Sequence, residues 1–209
     1  MTIKAVVFDM DGVLVDARDW HYEALNRALG LFGFQISRED HLSNFDGLPT
    51  SRKLDILTLE YGLPRRLHDF INDLKQRYTT ELVHTRCHPM FAHEFALAQL
   101  KRDGFKLAVA SNSISSTVEL MMQKTGLSRY LDLQVSASDI TNPKPDPEIY
   151  HVVAKRLGVS TDECLVVEDS KFGIASARAA GTHLLEVLGV DDVTHRAIAQ
   201  RLRQIEESE

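Results

Sequence analysis

The stretch Ala5-Val6-Val7-Phe8-Asp9-Met10-Asp11-Gly12-Val13 constrains the fold more than any other. Its run of β-branched and aromatic residues reads as a fully buried strand, apolar on both faces. The run ends in two carboxylates separated by one residue, and then a glycine. Burying one unpaired carboxylate costs on the order of several kcal/mol or more, so a divalent cation or a proton is expected there. In an open α/β sheet, ligands bind outside the carboxyl ends of the strands. The two acids fall at that end of the first strand.

From Arg18 the pattern turns helical. Trp20, Ala24, Leu25, Ala28, Leu29 and Phe32 recur at helical spacing up to Gly33. A short helix is expected after Ser37, then a turn at 45–49. Thr50 or Ser51 is expected to cap the next helix. A further helix opens at Pro64, with Leu67, Phe70, Ile71, Leu74 and Tyr78 on one face. Beyond this block, strand and helix alternate. Strands are expected at 105–110, 133–136, 164–167 and 183–187, and helices at 91–100, 117–124, 148–157, 174–180 and 191–205. Repeated βα units imply a doubly wound parallel sheet. The expected architecture is therefore an α/β core, residues 1–16 and 84–209, with an inserted α-helical domain at 17–83. The two linkers between them are candidate hinges.

Composition narrows the function classes. The formal net charge is -6 and the pI about 5.8, which argues against a nucleic-acid footprint. Hydrophobic residues make up 44% and charged residues 26%, enough for an ordinary core. Cys87 and Cys164 are too few for a disulfide framework and suit a reducing compartment. No stretch reads as a membrane span or a secretory signal, so a cytoplasmic protein without a membrane partner is expected. A monomer is the default expectation.

Four strand ends are polar. The first carries Asp9 and Asp11, the second Ser111 and Asn112, and a later one Glu168 and Asp169. The proline-rich loop after the short strand carries Lys144. Acids from two strand ends can hold Mg²⁺, a hard cation that prefers oxygen ligands. A lysine and a hydroxyl can neutralise phosphoryl oxygens. One carboxylate can attack phosphorus, and a second can protonate the leaving alcohol and then activate water.

Asp9-Met10-Asp11-Gly12-Val13, Ser111-Asn112, Lys144-Pro145-Asp146-Pro147 and Glu168-Asp169-Ser170 together resemble the four motifs of the haloacid dehalogenase superfamily. The resemblance covers nearly the whole chain and points to the subgroup of β-phosphoglucomutase and phosphoglycolate phosphatase, which has a Rossmann-like core and a helical cap. It implies that Asp9 is the nucleophile and Asp11 the general acid/base. Ser111, backed by Asn112, would bind the phosphoryl group, and Lys144 would balance charge beside Asp9. Asp9, the Asp11 carbonyl and Asp169 would hold Mg²⁺, with Glu168 assisting directly or through water. An acid at Asp11 argues for a phosphate ester over a haloacid.

The cap selects the substrate, and the match thins there. His21 falls where the mutases carry a cap-side histidine. Ala17 stands where they tend to carry threonine, and Thr50 where they carry arginine, with Arg52 two residues further on. His21, Thr50 and Arg52 are thus the candidate cap residues, although Arg52 and Lys53 also read as ordinary solvated helix residues. The expected activity is Mg²⁺-dependent hydrolysis of a small phosphorylated metabolite, a sugar phosphate or a nucleotide. The alternatives are a phosphosugar mutase on the same site and a phospho-accepting signalling domain.

Overall fold

The computed structural model describes residues 2–45 and 47–208; Asp46, within the expected turn, lies outside the described residues. The chain forms two compact units, Met1–Asp16 with His88–Glu209, and Ala17–Cys87. In chain order, β1 (Ala5–Phe8) is followed by α1 (Arg18–Gly30) and a single turn α2 (Arg38–Asp40), which widens into a π turn at His41–Phe45. Next come α3 (Thr50–Tyr61), α4 (His68–Arg86), α5 (Phe91–Arg102), β2 (Lys106–Ala110), α6 (Ser115–Lys124) and β3 (Leu133–Val135). The chain ends with α7 (Glu148–Leu157), β4 (Cys164–Glu168), α8 (Lys171–Ala179), β5 (His183–Glu186) and α9 (His195–Glu207).

The first unit is built on a five-stranded sheet of order β3-β2-β1-β4-β5, with every pairing parallel. β1 is central: Phe8 pairs with Val109 on one side and Val167 on the other. A strand flanked on both edges and covered on both faces has to be apolar throughout, as β1 is. Ala5, Val7, Ala108 and Val166 pack with Ile149, Tyr150 and Val153 of α7 and Ala177 of α8. Val6 and Phe8 alternate to the opposite face and are equally buried. The chain moves outward from β1 through β2 to β3, then crosses to β4 and β5. The reversal therefore falls between β1 and β4, and the carboxyl ends of these strands border the position where such folds bind ligands.

The second unit is helical. Leu25, Ala28, Leu29, Ile36, Phe45, Leu54, Leu57, Leu63 and Ile71 form its core, and α1 packs along α4. Asn26 ties the segment after α1 down: its Oδ1 accepts from Ile36 N–H at 2.8 Å and its Nδ2 donates to Ile36 C=O at 2.9 Å. Both backbone groups of a buried residue are thereby satisfied.

Several local expectations are revised. Pro49 takes the N-cap of α3, and Thr50 is its first helical residue, with no side-chain cap; proline's fixed φ suits that place, and it lacks the N–H a helix start cannot pair. The buried face of α4 is Ile71, Lys75, Thr79, Leu82 and Val83. Phe70 lies largely exposed, edge-on to Phe32 at 6.0 Å. α9 begins at His195, where the Thr194 hydroxyl accepts from Ala197 N–H, and 190–192 form a separate 3₁₀ turn. The residue 84 at which the core was expected to resume lies inside α4. Among the described residues, no helix is long and apolar enough to cross a membrane.

Asn26→Ala leaves the Ile36 N–H without its side-chain partner and its C=O with only the Tyr22 hydroxyl, at 3.2 Å. The expected cost is about 1–3 kcal/mol, read as a lower urea midpoint in Trp20 fluorescence. Trp20 is the single tryptophan and lies in α1 of the helical unit.

Candidate active site

Asp9 follows β1 without a break, and its N–H donates to Val167 C=O at 3.0 Å, continuing the ladder to β4. The chain then folds back on itself, with the N–H groups of Leu14 and Val15 both reaching Met10 C=O. Gly12 stands inside this turn at φ +92°, and a Cβ there would lie 2.0 Å from Asp169 Oδ2. Glycine at this position is what lets the strand ends of β1 and β4 approach so closely. Gly173 in α8 does the same for Glu168, whose Oε1 would meet a Cβ at 1.6 Å.

Lys144 reaches into the site from the loop before α7 and is almost fully buried. Its ammonium donates to Asp9 Oδ1 at 2.7 Å, Glu168 Oε1 at 2.6 Å and Ala110 C=O at 2.9 Å. All three ammonium hydrogens are used. Glu168 is fully buried and accepts at both oxygens: Tyr150 Oη at 3.1 Å also reaches Oε1, and Oε2 takes the N–H groups of Asp169 and Ser170 and the Ser170 hydroxyl. Burial opposes the charge on Lys144, but the carboxylates of Asp9 and Glu168 override it and hold the ammonium well above the usual lysine range. Burial and the neighbouring Glu168 push Asp9 well above the usual carboxylate range, against the pull of Lys144.

Oxygens of Asp9, Glu168 and Asp169 lie within 4.8 Å of one another. Three clustered carboxylates outnumber the one ammonium among them, and an all-oxygen donor set is what a hard divalent cation takes. The residues present thus fit Mg²⁺. The Asp11 carboxylate is not in this cluster. Its Oδ2 accepts from Ser113 Oγ at 3.0 Å and Ser111 Oγ at 3.3 Å. Ser111 does not cap α6, where Ile114 holds the N-cap position; its hydroxyl accepts from Ser113 N–H. The Asn112 side chain clamps the Lys144 backbone, accepting from its N–H at 3.0 Å and donating to its C=O at 3.3 Å.

A family model for haloacid dehalogenase-like hydrolases matches residues 6–187. The chain belongs to the haloacid dehalogenase-like hydrolases. This hydrolase is similar to a phosphorylated carbohydrates phosphatase of Thermotoga maritima, 32% identical over 182 residues, covering 86% of this chain and 82% of the relative. It is also similar to the fructose-1-phosphate phosphatase YqaB of Escherichia coli, 29% identical over 182 residues, covering 87% and 95%. In structure it resembles a β-phosphoglucomutase from Clostridium difficile, with TM-score 0.85, 23% identity, and 98% and 99% of the two chains covered. CbbY from Rhodobacter sphaeroides, in complex with phosphate, matches at TM-score 0.80 and 23% identity over 90% and 87%. The last two likenesses concern the fold, a Rossmann-like core with a helical cap.

The helical unit of this hydrolase holds a cationic cluster of its own. Lys75 Nζ lies 3.2 Å from His21 Nδ1, and since an ammonium only donates, the imidazole nitrogen accepts. Lys53 and Lys75 are both buried, so Lys53 is not the solvated residue its sequence position suggests. Arg52 is exposed, and Thr50 is half-buried at the start of α3. His41 is buried against the Tyr22 ring at 5.0 Å. Neither of its ring nitrogens has a hydrogen-bond partner among the described residues. Burial, then Lys53, His21 and Arg38, push its pKa down to about 4. Lys75, His41, Ser113 and Tyr150 were not singled out by the sequence. Lys75 had a signal, since it stands on the apolar face of α4 at i+4 from Ile71.

The depressed pKa of His41 makes the helical unit acid-sensitive. Above pH 6.5 the ring is neutral in folded and unfolded chains alike; as pH falls toward 4 the unfolded chain takes up the proton first. The expected loss is about 1–3 kcal/mol between those limits. His41→Leu should remove that slope from urea midpoints followed through Trp20. Gly12→Ala should lower phosphatase activity at least ~100-fold, because Asp169 must shift; unchanged turnover would contradict the close approach.

Proposed function

We propose that this hydrolase is a Mg²⁺-dependent phosphatase of a small phosphorylated metabolite, a sugar phosphate, acting through an aspartyl-phosphate on Asp9. The observation that carries the reading is the buried Lys144 ammonium shared by Asp9 and Glu168, with Asp11 oriented beside it by two serine hydroxyls. Asp9 is the one carboxylate of that group at the end of the central strand, next to both the ammonium and the acidic cluster. The named phosphatases among the sequence relatives support the same chemistry.

In this reading an Asp9 carboxylate oxygen bonds to phosphorus while the ester oxygen departs, taking its proton from Asp11. Water then attacks the phosphorus of the acyl phosphate, Asp11 takes the proton from that water, and inorganic phosphate leaves a regenerated Asp9. Lys144 remains beside Asp9 through both halves and offsets the charge that accumulates there. The Ser111 hydroxyl would donate to a phosphoryl oxygen. Asp9, Asp169 and the Asp11 carbonyl would hold Mg²⁺, which when bound would neutralise phosphoryl oxygens. Glu168, with both oxygens already accepting, would act from behind. Thr50, where the mutase pattern has arginine, favours water over a sugar as the phosphoryl acceptor.

Phosphate release from a panel of phosphorylated metabolites tests the reading. Release should require Mg²⁺, stop with chelator, and fall by at least ~10³-fold in Asp9→Asn. Isomerisation of a sugar phosphate without phosphate release, after priming with a bisphosphate, would assign the site to a mutase instead.

A further inference from the structure

The mechanism above leaves one buried polar group of the site without a task. Tyr150 is 1% exposed, on the face of α7 that packs against β1, β2 and β4. Phenylalanine would fill nearly the same space, so packing does not explain the hydroxyl. That hydroxyl donates to Glu168 Oε1, the same oxygen that accepts from Lys144. The Tyr150 ring centroid lies 5.0 Å from Lys144 Nζ, within reach of a cation–π attraction.

Three acceptors define how the ammonium points, and one of them competes with the Asp9 contact. Glu168 Oε1 is the shortest of the three, at 2.6 Å. A carboxylate oxygen that receives a second donor gives up part of its charge to that donor and pulls less on the first. The Tyr150 hydroxyl is that second donor. Its ring also stands against the ammonium, so the cation is held from two directions while it faces Asp9 Oδ1 at 2.7 Å. Ser176 Oγ steadies the same loop by donating to Asp146 C=O at 2.7 Å, but it reaches neither charged group.

We propose that Tyr150 is a positioning residue for phosphoryl transfer: through Glu168 and its ring face, it keeps the Lys144 ammonium directed at Asp9. This rests on the reading of Asp9 as the phosphorylated carboxylate. Tyr150 has no contact with reacting atoms, so its removal slows the chemical step without weakening the binding of substrate.

The test compares Tyr150→Phe with the parent, using the phosphate ester that the parent hydrolyses best at saturating Mg²⁺. Val153→Ala is the control, a purely apolar truncation on the same face of α7. Expected is a fall of about tenfold in kcat for Tyr150→Phe, with KM and the half-saturating Mg²⁺ concentration within about twofold. Val153→Ala should lower Tm and leave kcat unchanged. The proposal is overturned by a Tyr150→Phe kcat within about twofold of the parent, by a loss confined to KM, or by an equal kcat loss in Val153→Ala. A Tyr150→Phe chain that fails to fold also overturns it, since the hydroxyl would then be a structural group. If the parent hydrolyses no phosphate ester, the functional reading fails, and the Tyr150 contact is judged separately by ¹⁵N-lysine NMR. There the Lys144 ammonium should exchange slowly in the parent and at least about fivefold faster in Tyr150→Phe; equal exchange overturns the proposal.

Discussion

A single buried ammonium organises the core unit. Lys144 enters a region closed to water, where an isolated charge would cost many kcal/mol. It is tolerated because Asp9 at the end of β1, Glu168 at the end of β4 and the Ala110 carbonyl at the end of β2 converge on it. Removing one partner from a buried ion pair usually costs about 3–5 kcal/mol, because the other charge is left uncompensated. This convergence depends on the strand order. Only adjacent parallel strands deliver three carboxyl ends to one point, and β1 lies between β2 and β4.

The surrounding residues hold that arrangement at short range. Gly12 and Gly173 have no Cβ because carboxylate oxygens occupy the space one would fill. Asn112 fixes the backbone of Lys144 through two hydrogen bonds, so the ammonium is aimed from the main chain outward. Carboxylates still exceed cations in the cluster. Burial, and then that excess, raises Asp9, and the three carboxylates could hold a divalent cation. A site so charged and so dry is prepared for charge that develops during reaction, which is the general use of preorganised polar groups.

The helical unit solves a different problem. Its apolar core is ordinary, but one edge carries buried His41, Lys53 and Lys75 with His21. Burial of the ring, then the charges of Lys53, His21 and Arg38, depresses the histidine.

Much of the core was legible in the sequence because its signals are local. A buried strand is an apolar run, a βα turn is a glycine or a polar break, and Asp9, Ser111, Lys144 and Asp169 stand at such breaks. The sequence by itself determined the parallel α/β sheet, the inserted helical block and the acids at its strand ends. Local pattern misjudged helix faces, where Phe70 reads as core and Lys53 as solvated. Tertiary structure alone decided which polar groups meet. It assigned the Asn112 side chain to the Lys144 backbone, Ser113 to Asp11 and Tyr150 to Glu168, and it buried Lys53. Such contacts join residues from 32 to 102 positions apart, or, for Tyr150 and Glu168, a helix and the strand that follows it. No periodicity of one segment encodes them, because the energy of a buried polar group depends on the partner that folding brings to it.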